Sequence, residues 1–257
     1  MSVRMWRIAA MLGAFAMLAV CASAQMSEVK EKPRMYSYVG FWNIPRTQWA
    51  EMEKSDAADQ KILQKAVDGG TLVGFGTDLN LVHQPDGPTH DDWWSSMSMA
   101  GLMNVLDQFY KNGSATSPVM ASATKHWDGI YVSRYYNWHS GSWKDLYGHG
   151  SVYKLKADAP DDAVDVLSKN LFVPFFEKLL ADGTIHEYEV DEEAIHTEDP
   201  NNFFVSYLAA NPEGLDKVNA ALRDALKASP LSGPAFGSMV DFTHHRDFLT
   251  RTNATYK

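Results

Sequence analysis

The sequence predicts an α+β fold in which two tandem βαββαβ units close into one intrachain barrel. Three observations carry this reading: enough apolar residues for a large core, an internal repeat, and the same order of strand and helix signals in both halves. Of 257 residues, 45% are hydrophobic and 21% charged, an ordinary globular balance and too apolar for disorder. Offsetting the chain by 113 residues pairs Lys65, Gly70, Thr71, Asp78, His83, Asp86, Gly101, Leu102 and Val105 with Lys178, Gly183, Thr184, Asp191, His196, Asp199, Gly214, Leu215 and Val218. These identities exceed chance and fall at turns, strand ends and helix starts, as a duplicated unit requires.

The first unit is expected over 35–137. A Tyr-, Val- and Trp-rich strand covers 35–44, and Pro45 opens a helix that Gly69-Gly70 ends. A second strand spans 71–82, where Gly74 and Gly76 signal a bulge or a close backbone approach. A third covers 93–99, followed by a helix over 100–111 with Leu102, Val105, Leu106 and Phe109 at helical spacing. A strand over 129–136 completes the unit. A Gly-containing connection, 138–150, leads to the second unit, 151–257. There strands are expected at 151–156, 184–190, 203–209 and 248–253, with helices from Pro160 to 180 and over 212–227. Each is a ferredoxin-like unit with both helices on one sheet face, and the other face is covered by the partner repeat.

Residues 1–24 carry Arg4 and Arg7, no acid, an apolar run over 8–20 and Ala22-Ser23-Ala24, the pattern of a secretory signal peptide. The run is too short to span a bilayer and no later stretch approaches the roughly 18 apolar residues a span needs, so no membrane span is expected after signal removal, and the expected location is periplasmic or extracellular. Cys21 is the only cysteine and lies in that segment, so the exported chain folds without a disulfide. Reading Leu18-Ala19-Val20-Cys21 as a lipid-attachment box conflicts with Val20, where a small residue is wanted. The formal charge of -9, with no basic block, argues against nucleic acid as a partner.

The two units and their duplication resemble the dimeric α+β-barrel superfamily in single-chain tandem form. The resemblance covers nearly all of 35–257 and is architectural, resting on element order. It implies a set of activities that includes antibiotic-biosynthesis-type monooxygenases, haem-degrading enzymes, chlorite-dismutase-like haem proteins and EthD-like proteins, among which fold does not choose. Haem is therefore a cofactor candidate. The Asn, Trp and His types used by haem-degrading members are present as Asn43, Trp94 and His83, while no counterpart of the chlorite-dismutase proximal-histidine segment is found.

All tryptophans lie at or before Trp143, so a pocket for a flat organic ligand belongs to the first half, lined by Tyr38, Trp42, Asn43, Trp94 and Trp127. The segment matched to Trp93-Trp94 is read as Phe203-Phe204. The competing reading makes the tryptophans core. His83 and His196 each precede an Asp by three residues, and His126-Trp127-Asp128 is matched by His245-Arg246-Asp247. In an extended segment the His and Asp of each triplet share a side, which suits a polar dyad, and His83, His126 and Asp128 are the catalytic candidates. Turn chemistry explains the His-x-x-Asp pairs equally well. There is no His-Glu-x-x-His and no cysteine pair, so no metal site is assigned. No Gly-x-Ser-x-Gly or phosphate loop occurs, and the acidic run Glu187, Glu189, Asp191, Glu192, Glu193 reads as a solvated strand edge.

Two functions from different classes follow. One is small-molecule binding or monooxygenase-like oxidation of an apolar or aromatic ligand in a first-half pocket, which needs a cavity. The other is a non-catalytic envelope or ligand-carrier protein, which predicts a filled barrel.

Overall fold

The computed structural model describes residues 30–197 and 201–257; the signal segment and Asp199 lie outside the described residues. Four strands of the first half, β1 (Met35–Asn43), β2 (Gly74–Asn80), β3 (His90–Ser96) and β4 (Lys125–Trp138), are antiparallel in the order β4-β1-β3-β2. After the two-residue β5 (Ser142–Trp143) come β6 (Tyr147–Leu155), β7 (Ile185–Ile195), β8 (Asn202–Ala209) and β9 (Val240–Tyr256), in the matching order β9-β6-β8-β7. The two sheets join edge to edge through β4–β7 and β2–β9. The result is a closed, all-antiparallel barrel of eight strands, with β5 pairing outside it on β9.

Helices α1 (Trp49–Asp68), α2 (Met99–Asn112) and the short α3 (Pro118–Ala121) belong to the first half. In the second, α4 (Ala163–Leu167) runs through a π-turn (Ser168–Phe172) into α5 (Val173–Ala181), and α6 (Pro212–Ala228) is followed by α7 (Ser232–Met239).

The repeated residues are those that make these elements turn and pack. Gly70 and Gly183, each ending a helix, have φ of 73° and 75°, the left-handed region where a side chain is strained. Ser98 caps α2 by accepting from Gly101 N at 3.1 Å, and Asn211, 113 residues on, caps α6 by accepting from Gly214 N at 2.9 Å. A Cβ on Gly101 would lie 2.9 Å from Thr71 O, and one on Gly214 3.0 Å from Thr184 O, so both helices start hard against the turn before β2 or β7. Leu102, Val105 and Phe109 then project onto Tyr38, Phe75 and Trp94 to form the core between helices and sheet.

Alternation along the strands separates this helix side from the barrel interior. On β1, Tyr38, Gly40 and Trp42 face the helices and Ser37, Val39 and Phe41 the interior. Gly76 is a close approach: a Cβ there would lie 2.5 Å from the Trp93 ring. The irregularity expected nearby falls one residue on, between Thr77 and Asp78.

Several expectations are corrected. The acidic run is not a solvated edge, since Glu187, Glu189, Asp191 and Glu193 are buried and the first three point into the barrel. Alternation assigns these residues a common side, and closure makes that side the inside. β3 begins at His90, earlier than 93, because polar His90-Asp91-Asp92 are held in the ladder with β1 and β2. β9 is far longer than 248–253, since it pairs in turn with β6, β2 and β5. Helix α7 lies in a Gly- and Ser-containing stretch with no helical signal. The register also overturns the pairing of Trp93-Trp94 with Phe203-Phe204. The offset that matches β3 to β8 makes Ser206 and Tyr207 the counterparts, with Tyr207 beside His149 as Trp94 is beside Tyr38.

Candidate functional site

Between the first-half sheet and α1, α2 and α3 lies a cavity of about 420 Å³. Its sheet wall is built by alternation on β1, β3 and β4, which brings Tyr38, Trp42, Trp94, His126 and Asp128 to one face. Tyr38 stacks on Trp94 (centroids 4.3 Å apart, planes at 14°) and Trp42 on His126 (3.5 Å, 12°). Gly40 lies between the two stacks, and a Cβ there would sit 3.1 Å from Trp42 Nε1 and 3.4 Å from Asp128 Oδ1. Leu63, Leu106 and Phe109 close the helix side.

The polar groups converge on one end. His126 Nδ1 lies 3.0 Å from the Phe41 carbonyl oxygen, which fixes the Nδ1–H tautomer, and Nε2 lies 3.3 Å from Asp128 Oδ1. Burial alone would lower the His126 pKa. The hydrogen bond and charge of Asp128, with the Phe41 carbonyl, outweigh it and raise it. Tyr38 faces the same carboxylate, and burial, then the charge and hydrogen bond of Asp128, hold its phenol protonated.

The opposite wall carries carboxyls that the sequence reading missed. Asp56 on α1 is pushed up to about 7, first by burial and then by Asp59 and Glu53. Asp59 is raised by burial despite accepting from Ser114 Oγ at 2.6 Å. Asp92 is raised well above the carboxylate range by burial and by Asp56. Acids on a helix at spacing three ordinarily face water. The only signal for Asp56 and Asp59 was that Met52 and Leu63 lie on the same stripe.

The remaining candidates are elsewhere. Trp127, between His126 and Asp128, points to the barrel interior and stacks on Phe41 at 5.2 Å. Asn43 donates to the Gly87 carbonyl at 2.8 Å and ties down a loop. His83 is exposed beyond β2, its ring 5.6 Å from that of Trp49. Asn43, Trp94 and His83 therefore do not form one constellation. Haem does not fit the cavity either. Both nitrogens of its histidine, His126, already face oxygen acceptors, which leaves no free axial ligand.

The second half repeats the stacks: His149 on Tyr207 (5.2 Å, 17°) and Tyr153 on His245 (4.6 Å, 9°), with His245 Nε2 at 3.3 Å from Asp247 Oδ2. Here phenylalanines pack on them, Phe176 against Tyr207 and Phe236 against Tyr153. The barrel interior holds a separate cavity of about 260 Å³, so the barrel is not filled. Among the described residues no group of three or more His, Cys, Asp or Glu is arranged to hold a metal ion, and no helix is long and apolar enough to cross a membrane.

With this geometry the chain superposes on a candidate monooxygenase from Lactobacillus acidophilus NCFM with a TM-score of 0.61 at 10% identity, covering 88% of this chain and 97% of that one. The fold is that of the dimeric α+β-barrel superfamily. A candidate monooxygenase from Fusobacterium nucleatum subsp. nucleatum ATCC 25586 gives 0.63 at 8% identity, covering 87% and 94%. An anthrone oxidase-like protein gives 0.54 at 11%, covering 88% and 94%. No protein-family profile matches the sequence, and no curated protein matches it significantly. Here one chain closes the barrel, each repeat supplying four strands.

Proposed function

We propose that the chain is an exported enzyme that oxidises a flat aromatic substrate with dioxygen in the first-half cavity. The single observation that carries the reading is the cavity between the Tyr38–Trp94 and Trp42–His126 stacks with the His126–Asp128 pair at its end. The structural neighbours named as candidate monooxygenases and as anthrone oxidase-like support the chemistry, and the pattern of residues 1–24 supports export.

The substrate class that fits is a fused-ring phenolic ketone with an acidic CH₂ group, as in an anthrone. The aromatic walls hold its plane. The His126–Asp128 pair takes a proton from the CH₂ and shares it between imidazole Nε2 and carboxylate. The resulting electron-rich anion is the reductant for dioxygen. One oxygen atom replaces both hydrogens as a new carbonyl, and the other leaves with those hydrogens as water, so the substrate supplies all four electrons. Asp56 and Asp92, whose carboxyls burial pushes toward the neutral form, are donors for the substrate's oxygen atoms.

The test is an oxygen electrode with anthrone as probe. One dioxygen consumed per anthraquinone formed, with a rate about a hundredfold lower in His126→Ala, is the expected result. An unchanged rate in that variant, or no quenching of tryptophan fluorescence by anthrone, would refute the proposal.

A further inference from the structure

We propose that the barrel interior, separate from the first-half cavity, is a binding site for a small organic ammonium ion with an apolar or aromatic body. The interior cavity, about 260 Å³, falls just below the range of drug-sized ligand sites, roughly 300–1,000 Å³. Its walls carry both kinds of group. Val39, Phe41, Phe204 and Phe248 are apolar and Asp78, Asp91, Glu187, Glu189 and Asp191 acidic, with Asp91 opposite Phe41 and Asp191 opposite Phe204 in the strand ladders.

Two of these carboxyls have an oxygen with no partner. Asp78 is 5% exposed and Glu187 7%, and Oδ1 of the first and Oε2 of the second are buried without a hydrogen bond. Leaving such atoms unpaired is costly unless something in the cavity satisfies them. The structure also contains an example of the group they accept. The Lys257 ammonium, fully buried, lies 2.8 Å from Glu187 Oε1 and 2.5 Å from Glu189 Oε1, with the rings of Trp93 and Trp138 at 4.8 and 4.7 Å. An alkylammonium among carboxylates and indole faces is thus already at home here. Burial pushes the carboxyls of Asp78, Asp91, Glu187 and Asp191 toward their neutral forms, a bias that a second cation would relieve, and the unpartnered oxygen of Glu187 belongs to a residue that lines the cavity. A metal ion suits the site less well, since no three ligands are suitably arranged among the described residues and the apolar wall offers none. Arg246, exposed at the rim, is the one cation among the residues lining the cavity.

The geometry supplies a clean steric block. Gly150 lines the cavity, and a Cβ added there would meet no atom within 4 Å, so the side chain of Gly150→Leu starts into open space and is placed to fill the cavity. Isothermal titration of the full chain with 2-phenylethylammonium, and with 2-phenylethanol as its uncharged isostere, tests the site. Saturable binding of the amine, about tenfold or more tighter than the alcohol, is expected. Glu187→Gln should weaken amine binding by a similar factor and Gly150→Leu should abolish it, both with a parental circular dichroism spectrum. His126→Ala should leave it unaltered. The proposal is overturned if no saturable binding of the amine occurs at millimolar concentration, if the alcohol binds equally well, if Gly150→Leu binds normally, or if His126→Ala removes binding.

Discussion

Replacing Asp56 with Asn should stabilise the protein, and more so as the pH rises. Asp56 is 4% exposed on the buried face of α1, and its carboxyl is raised from the ordinary 3.8 to about 7 by burial and by Asp59 and Glu53. A raised carboxyl keeps its proton in the folded state after the unfolded chain has released it. Folded protein therefore binds more protons between those two values, and stability falls as the pH climbs from about 4 to about 7. Each pH unit is worth about 1.4 kcal/mol, so the full penalty at pH 8.5 approaches about 4 kcal/mol. Asn, of nearly the same shape, carries none of it and also relieves Asp92, whose proton is held partly by the charge of Asp56. Urea unfolding followed by tryptophan fluorescence, at pH 4 and pH 8.5, measures the difference directly. The Asn variant should match the parent within about 1 kcal/mol at pH 4 and exceed it by about 2–4 kcal/mol at pH 8.5. A gap of equal size at both values would mean that Asp56 titrates normally and that the carboxyl wall is not protonated.

Two further substitutions probe the barrel. Lys257→Met removes the cation between Glu187 and Glu189 and should cost about 3 kcal/mol at pH 8; adding Glu187→Gln and Glu189→Gln should recover most of it in the same urea assay. Gly76→Ala places a Cβ 2.5 to 2.6 Å from three atoms of the Trp93 indole and should cost about 1–3 kcal/mol. The loss should appear as a lower melting temperature, and a smaller residue in place of Trp93 should reduce it.

What the sequence made legible was local. The identities at Gly70/Gly183 and Gly101/Gly214 mark a left-handed turn and a helix start packed on a carbonyl, constraints both halves retain. Strand alternation likewise brought His126 and Asp128 to one side and sent Trp127 to the other. What it left hidden depends on contacts remote in the chain. Glu187, Glu189 and Asp191 alternate as a solvent-facing edge would, and only the pairing of β4 with β7 and β2 with β9 encloses them. Asp56 is polar on a helix, and nothing local says that its turn packs over a cavity. His83 lies near a strand end, but the loop carries it out to water beside Trp49.

The seam between β2 and β9 has a consequence for how the molecule is made. Synthesis delivers β2 early and β9 last, so for most of that time the sheet is an open ribbon running from β2 to β6. Both ends of the ribbon are then bare edges, with unpaired backbone groups able to recruit a strand from another chain. Only when the final strand threads between β6 and β2 do both edges vanish together. Pairing across such a long stretch of chain is slow to form. The nascent protein is thus most open to self-association before β9 pairs, and least so once the barrel has closed.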